Sequence, residues 1–430
     1  MTVVIIISAL TCIAMIIAVL YFPKIHIGTL ELSTYWLITL LGALVLISSG
    51  SVSLSAIIQA LLADTAVNPL KILILFISMT VLSIFLDELG FFRYLAGIAL
   101  NRAGNSQLRL FILLYITVSV LTVFTSNDII ILSFTPFICY FAKNAHISPV
   151  PYLAAEFVAA NTWSMALIIG NPTNIYLVTA AGGDFISYAK IMLLPTLASG
   201  AVACLLLFLL FRKKLLAPIN AEPQIVHLSD GPLLWVGIIH LAACTVVLAI
   251  GSYVGIEMWL VSLISAVSLL CISTAITLYR KTHSHTLTAC LKRAPWELIP
   301  FILSMFVLVE ALNVNGVTEA IWHLMSKNTS VWEYGITSFF AANLINNIPM
   351  SVLYSSILQS TAPISAVMAT VIGSNLGACL TPIGALAGIM WCSILKKHGL
   401  KFGYLDFLKI GVTVAVPALT AALAVLSLTA

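Results

Sequence analysis

Apolar residues gather in runs near positions 3–22, 35–55, 70–87, 109–141, 151–181, 189–211, 233–250, 257–279, 297–312, 335–358, 364–395 and 405–429. About 20 such residues cross the hydrocarbon of a bilayer as one helix. The pattern therefore predicts an all-α polytopic membrane protein. Four runs carry polar or helix-breaking residues where lipid-facing helices should be oily. The first two breaks are Thr125-Ser126-Asn127-Asp128 and Gly170-Asn171-Pro172-Thr173-Asn174. The other two are Asn346-Asn347-Ile348-Pro349 and Gly373-Ser374-Asn375, with Thr381-Pro382-Ile383-Gly384 close behind. Irregular backbone at membrane depth is tolerated only where protein buries it or it lines a cavity. Broken segments at matching places in two halves of a chain point to the binding site of a secondary transporter.

Composition agrees with this pattern. The 430 residues are 61% hydrophobic and only 8% charged, against about 25% charged in soluble domains. The net charge of +4 comes from basic residues in short loops, which is the positive-inside pattern, not a nucleic-acid footprint. Arg212-Lys213-Lys214 and the segment 280–293 mark cytoplasmic loops around two spans joined by a charge-poor turn at 251–255. Arg93, Arg102 and Arg109 mark a third cytoplasmic loop, and Lys396-Lys397-His398 with Lys401 a fourth. The count closes only if 109–141 and 335–358 each enter and leave on one side. Arg109 and Lys143 flank the first of these, so it opens to the cytoplasm; Glu333 and Gln359 flank the second, so it opens outward. The expectation is ten spans, two re-entrant hairpins and both termini outside, the N-terminus resting on Lys24. Its first apolar run lacks a basic leader and a small-residue cleavage site, so it reads as a retained helix.

Two halves carry the same landmarks. Pro69 to Met79 reads PLKILILFISM and Pro295 to Met305 reads PWELIPFILSM; Gly90 and Gly316 follow at the same distance. Ser187-Tyr188-Ala189-Lys190 matches Asp406-Phe407-Leu408-Lys409. The expected organisation is an N-terminal transmembrane helix (1–34), repeat 1 (35–215, hairpin tip near 126–128), a linker with a connecting span (216–256), and repeat 2 (257–430, tip near 346–349). Hairpins opening to opposite sides make the repeats inverted, an arrangement that can expose one site to either side in turn.

The breaks are rich in amides and hydroxyls. Ser126, Asn127, Gly170, Asn171, Thr173, Asn174, Asn346, Asn347, Gly373, Ser374, Asn375 and Thr381 are the candidate solute-binding residues. Prolines 172, 349 and 382 interrupt the hydrogen-bond ladder. Half-helix N-termini then offer free amides to an oxyanion, and loose carbonyls suit a cation. Asp128 is an acid at a hairpin tip, where charge is retained for a partner or a function. It can take a proton or ligate a cation; the plainer reading is a cap for a helix starting at Ile129. Glu156 and Glu310 are two further candidates for proton or ion coupling, either of which can instead pair with a buried donor. Asp87-Glu88, at a helix end, reads as an anchor or salt-bridge partner. Residues 91–105, with Arg93 and Arg102, read as an interfacial amphipathic helix. The eight cysteines are scattered without metal or redox spacing, and His283 and His285 lie in a basic loop, so no metal or cofactor is expected. The chain has no Walker A motif and no nucleophile–base constellation, so it does not read as an enzyme.

Several strings resemble the ArsB family of arsenite and antimonite permeases, within the ion transporter superfamily. They are Leu86-Asp87-Glu88-Leu89-Gly90-Phe91-Phe92, Asn127-Asp128 ahead of Thr135-Pro136, Ala294-Pro295-Trp296 and Asn346-Asn347-Ile348-Pro349. Val371-Ile372-Gly373-Ser374-Asn375-Leu376-Gly377, followed by Thr381-Pro382-Ile383-Gly384, is the most specific. The resemblance covers nearly the whole chain in order, and it is weaker to the dicarboxylate and citrate carriers. It implies an elevator-type carrier of the cell's inner (plasma) membrane that exports arsenite or antimonite against protons. It also leaves room for a soluble ATPase partner, and a homodimer is compatible with it. The chain departs from that family in carrying Asn161 and Asn375 where arsenite permeases tend to carry Asp. The competing readings are a sodium- or proton-coupled anion or carboxylate transporter, and a membrane subunit that works only with an ATPase.

Overall fold

The computed structural model describes residues 1–22, 24–27, 30–63, 68–218, 228, 230–281, 285–325, 330–358, 362–400 and 402–429. His283, Gln359 and Lys401 lie outside the described residues, as does the side chain of His285. The chain opens with α1 (Thr2–Tyr21), a two-stranded hairpin β1 (Lys24–Ile27) and β2 (Leu30–Ser33), then α2 (Thr34–Ser48), α3 (Leu54–Leu62), α4 (Pro69–Glu88) and α5 (Phe91–Ala103). There follow α6 (Gln107–Phe124), α7 (Asn127–Asn144), α8 (Val150–Trp163), α9 (Pro172–Ala180) and α10 (Phe185–Leu215). The second half runs α11 (Gly231–Val254), α12 (Met258–Tyr279), α13 (His285–Arg293), α14 (Leu298–Val314), α15 (Val317–Met325), α16 (Val331–Ile345), α17 (Asn347–Leu358) and α18 (Ile364–Gly377). It ends with α19 (Leu386–Lys397), α20 (Tyr404–Ile410) and α21 (Val416–Thr429), the last two joined by a π-helical segment Gly411–Ala415.

Among the described residues, eight helices are long and apolar enough to cross a membrane, and Thr34–Ser48 and Ile364–Gly377 are shorter apolar helices. Large apolar side chains such as Leu41, Trp235, Ile264 and Phe340 face outward, as a bundle immersed in lipid requires. The protein is thus an all-α polytopic membrane protein, with one small β-hairpin that four-residue strands were too short to announce. Local chemistry sets the helix ends. Asn68 caps α4 by accepting from the amides of Leu70 and Lys71, with Pro69 at the first helical position. Asp184 caps α10 in the same way. Partial burial raises its pKa, but the Ser187 side chain and the amides of Ser187 and Ile186 outweigh that and hold it below the ordinary carboxylate range. Gly90 and Gly316 take left-handed backbone (φ 82° and 73°), which a residue without a Cβ adopts freely. They stop α4 and α14 at corresponding points.

The order of elements from α1 to α10 recurs from α11 to α21. In both series two apolar helices and a short one lead to a helix stopped by a left-handed glycine, a short amphipathic helix, a pair meeting at a polar tip, a broken helix and a long terminal segment. Packing exchanges members between the two series. α2 packs on α14 and α12 on α4; α7 packs on α19 and α17 on α9; α10 packs along α21. The exchange has polar clasps. Lys71, at the start of α4, pairs with Glu257, the N-cap of α12, at 2.6 Å. Glu297, the N-cap of α14, accepts from the amide of Ser33, the N-cap of α2, at 3.1 Å and from the Tyr35 hydroxyl at 3.4 Å.

Residues 91–103 do form a helix, but its apolar face (Phe92, Ala96, Ala99, Leu100) is buried in protein, with α4, α6 and α7 as its neighbours. Arg93 and Arg102 are on its exposed side. Asp87 and Glu88 hold Arg293 of α13: Arg293 Nη2 lies 2.7 Å from Asp87 Oδ2, and its Nη1 bonds Glu88. The other Asp87 oxygen accepts from Ser133 of α7 at 2.6 Å. All eight cysteines are free thiols.

Candidate functional site

Four polar breaks sit in the bundle interior. The run 109–141 is two helices, α6 and α7, meeting at Thr125 and Ser126 in extended backbone. Helix α7 begins at Asn127 with Ser126 as N-cap, so Asp128 lies inside its first turn. The cap role for a helix starting at Ile129 is thereby corrected: the helix begins two residues earlier because Ser126 already supplies the extended entry. The run 151–181 is α8, one 3-10 turn (Ile168–Gly170) and α9, which Asn171 caps through the Thr173 amide at 3.1 Å. In the second half, α16 and α17 meet at Asn346, and α18 is followed by a 3-10 turn (Pro382–Gly384) and α19. Asn346 has φ 72° and ψ 151°, a region that costs a non-glycine residue about 1–3 kcal/mol. Its side chain offsets part of that strain by accepting from the Ile348 amide at 3.2 Å and donating to the Ile383 carbonyl at 2.9 Å.

Amide side chains join these breaks into a buried chain. Asn127 Nδ2 donates to Asn161 Oδ1 at 3.1 Å. The Ser164 hydroxyl lies 2.8 Å from the Asn161 carbonyl and 2.8 Å from Asn375 Oδ1, so one proton serves both. Asn375 Oδ1 also accepts from Asn171 at 2.9 Å, and its amide donates to Asn174 Oδ1 at 2.7 Å and to the Val371 carbonyl at 2.8 Å. Asn375 is therefore saturated: it ties the break between α8 and α9 to α18. A separate set lies beside the second tip. There Thr381 donates to Asn343 Oδ1 at 2.6 Å, and Asn343 donates to the carbonyls of Phe339 and Gly377. Asn343 and Ser164 are absent from the sequence-derived set. The only signal for Asn343 is an amide in an apolar run, three residues before Asn346.

Part of the unused hydrogen-bonding capacity lies at these breaks. Ser126 Oγ, Asn127 Oδ1, Thr173 Oγ1 and Ser374 Oγ are buried without a hydrogen-bond partner, as are Thr162 Oγ1 and Tyr176 Oη nearby in α8 and α9. Most buried polar atoms in native folds are paired, so these atoms are unspent hydrogen-bonding capacity in the bundle interior. Glycines 170 and 373 sit where the backbone is crowded. A Cβ on Gly170 would stand 2.3 Å from the Ser164 carbonyl oxygen, and one on Gly373 would stand 2.0 Å from Ser338 Oγ and 2.3 Å from the Gly335 carbonyl. Both mark close backbone approaches, between α18 and α16 in the second case. Asn347 is buried at the start of α17.

The three acids are separated. Asp128 is half-buried and lines a cavity of about 580 Å³ with Ser126, Thr80, Tyr35, Arg293 and Lys397. Among the described residues it forms no ion pair. Glu156 is fully buried away from that cavity, accepting from Thr135 of α7 at 2.8 Å and from the Trp391 indole of α19 at 3.2 Å. Glu310 is half-buried on α14. Another cavity, of about 450 Å³, occupies the equivalent place in the other half. It is lined by the start of α4 (Lys71, Ile72), by Thr179 of α9 and by the α11–α12 turn (Gly255, Glu257). The larger cavity is lined by the start of α14, by α19 and by the α1–α2 connection (Lys24, Ser33), and it also reaches the first hairpin tip. Sequence motifs alone show no arginine near a break; folding brings Arg293 and Lys397 to the cavity that Ser126 and Asp128 share.

A multi-pass helical bundle with two broken helices, two polar tips and unpaired polar atoms at its centre is a membrane transporter of the secondary type. A family model described as citrate transporter matches residues 29–366, and the chain belongs to that family, within the ion transporter superfamily. It is 28% identical over 380 residues to an arsenical pump membrane protein of Escherichia coli, covering 82% of this chain and 85% of that one. It is 27% identical over 402 residues to a putative arsenical pump membrane protein of Bacillus subtilis, covering 86% and 88%. A 46 kDa membrane protein of Mycobacterium leprae is 25% identical over 369 residues, covering 80% and 83%. Among solved structures, the Alcanivorax borkumensis YdaH transporter superposes with a TM-score of 0.56 at 13% identity, over 98% of this chain and 97% of that one. That likeness concerns the fold.

Proposed function

We propose that the chain exports arsenite or antimonite in exchange for protons by alternating access, through an elevator-like motion. The observation that carries this reading is the set of unpaired buried atoms at Ser126, Asn127, Thr173 and Ser374. Asn127 Oδ1 accepts only, so its partner must bring a donor, while the three hydroxyls can donate or accept. A neutral trihydroxy solute such as arsenous acid supplies both. Asp128, facing the larger cavity without an ion pair, is the proton carrier in this scheme; Glu156 and Glu310 are secondary candidates. The names of the Escherichia coli and Bacillus subtilis relatives support the substrate.

The repeated element order supports the inversion. Each half has five crossings (α1, α2, α4, α8–α9 and α10, then their counterparts) plus a hairpin that returns to its own side. An odd count turns the second half over. The two cavities then open to opposite sides, and the larger one, with Lys24, Lys292, Arg293 and Lys397 in its wall, faces the cytoplasm by the positive-inside rule. A carboxylate substrate is the second reading, favoured by the family's description and by those same basic residues.

Proteoliposomes test both. Uptake of arsenite into inside-out vesicles, driven by an imposed proton gradient and without ATP, is the expected result. Citrate or dicarboxylate transport with no arsenite transport would replace the first reading with the second. Transport that appears only with an added ATPase would refute autonomous proton coupling.

A further inference from the structure

The larger cavity has features that a small hydroxylated solute does not need. Phe76, Leu132, Leu386 and Ile389 make much of its wall apolar, and its volume of about 580 Å³ far exceeds a solute of a few atoms. Six charged residues face it: Lys24, Lys292, Arg293, Lys397, Asp128 and Glu297. Arg293 is held by Asp87 and Glu88. Glu297 is engaged by Ser33 and Tyr35, and Lys24 has a partner of its own. Among the described residues, Lys292 and Lys397 have no ion pair, and both are exposed. Deeper in, the hydroxyls of Thr80 and Ser126 are buried and unpaired. Trp296, 48% exposed, donates its indole N–H to the Leu291 carbonyl at 2.7 Å. An aromatic of that kind typically marks the headgroup level of a bilayer.

We infer that this cavity binds an anionic phospholipid, its phosphate against Lys292 and Lys397 and an acyl chain along the Phe76–Leu132–Leu386–Ile389 wall. The bilayer that the spans require supplies the ligand at high local concentration. Lysines near an anionic membrane surface raise affinity about fivefold each, so removing both costs about 25-fold. The site shares its cavity with Ser126 and Asp128, but its test reads lipid binding alone and does not depend on which solute is carried.

The test uses the full-length chain in nanodiscs of neutral phosphatidylcholine carrying a small, varied fraction of fluorescent phosphatidylglycerol. Saturable binding is expected. The Lys292→Gln/Lys397→Gln pair should weaken it about 25-fold, and Lys292→Arg/Lys397→Arg should retain it. Ile389→Trp should weaken it with both lysines intact. Leu132→Trp serves if the first filled variant unfolds, which thermal unfolding in neutral lipid reports. Lys143→Gln, an exposed lysine off the cavity, should leave binding unchanged. Equal loss in Lys143→Gln, or binding that never saturates, would mean diffuse surface attraction and overturn the site. Displacement of the lipid by an equal concentration of free glycerol phosphate would overturn the lipid assignment in favour of a soluble phosphate.

Discussion

Asn375 and Asp128 show how differently two polar residues at membrane depth can be used. Asn375 spends both lone pairs and both amide protons on Ser164, Asn171, Asn174 and the Val371 carbonyl. Those bonds tie a broken helix to its neighbour. Interhelical hydrogen bonds in membrane proteins contribute about 0.6–2 kcal/mol each. Asn375→Ala should therefore lower stability by about 2–5 kcal/mol, read as a fall in the unfolding temperature in detergent or nanodiscs. An unfolding temperature within a degree or two of wild type would show that the network is not coupled to stability. Asp128 faces a cavity without an ion pair. Asp128→Asn keeps the shape and removes the titrating group, so solute binding should persist while the pH dependence of transport flattens. A pH profile unchanged from wild type would remove Asp128 from the coupling role. The type of these residues was legible in the chain, because amides and an acid in apolar runs stand out. Which one is saturated and which is open was not, since their partners lie as many as 211 positions away.

The helices were more legible than the joints between them. Length and hydropathy are local properties, and Asn68-Pro69 and Gly90 announce their own boundaries. Short elements escaped: β1 and β2 have four residues each, and the 3-10 turns at Ile168–Gly170 and Pro382–Gly384 have three. Gly373 is informative at this scale. Named among the candidate binding residues for its position in a motif, it also lets α18 lie against α16, with Ser338 Oγ 2.0 Å from where a Cβ would be. Overpacking of a tight interior costs about 1–3 kcal/mol. Gly373→Ala should lower thermal stability by that order, and Ser338→Gly should rescue it only in part, because the Gly335 carbonyl would still stand 2.3 Å from the new Cβ. Full rescue would mean that the helix backbones are free to separate.

For the whole molecule, the exchange of partners between halves is the organising fact. Helix α2 packs on α14 and α12 on α4, each in the other half, and the clasps Lys71–Glu257 and Glu297–Ser33 repeat that exchange in polar chemistry. An exposed ion pair contributes little, about 0–1 kcal/mol, so Lys71–Glu257 serves register more than stability. If the halves are inverted, their two cavities face opposite sides. In a background without reactive cysteines, Ser393→Cys in the larger cavity should react with a membrane-impermeant thiol reagent in inside-out vesicles, and Thr179→Cys in the smaller one in right-side-out vesicles. Reaction of both from one side would reject the inversion.

Residue chemistry and periodicity are enough to settle that this chain lives in a membrane, how many apolar runs it has and where they break. Each of these follows from the cost of placing a polar or unpaired group in hydrocarbon, which every segment meets on its own. Tertiary structure alone decides which breaks meet, which amides are already spent and which atoms remain open. It also brings Arg293 and Lys397 to the cavity of Asp128. These outcomes depend on contacts between residues hundreds of positions apart, and packing geometry, not local composition, selects them.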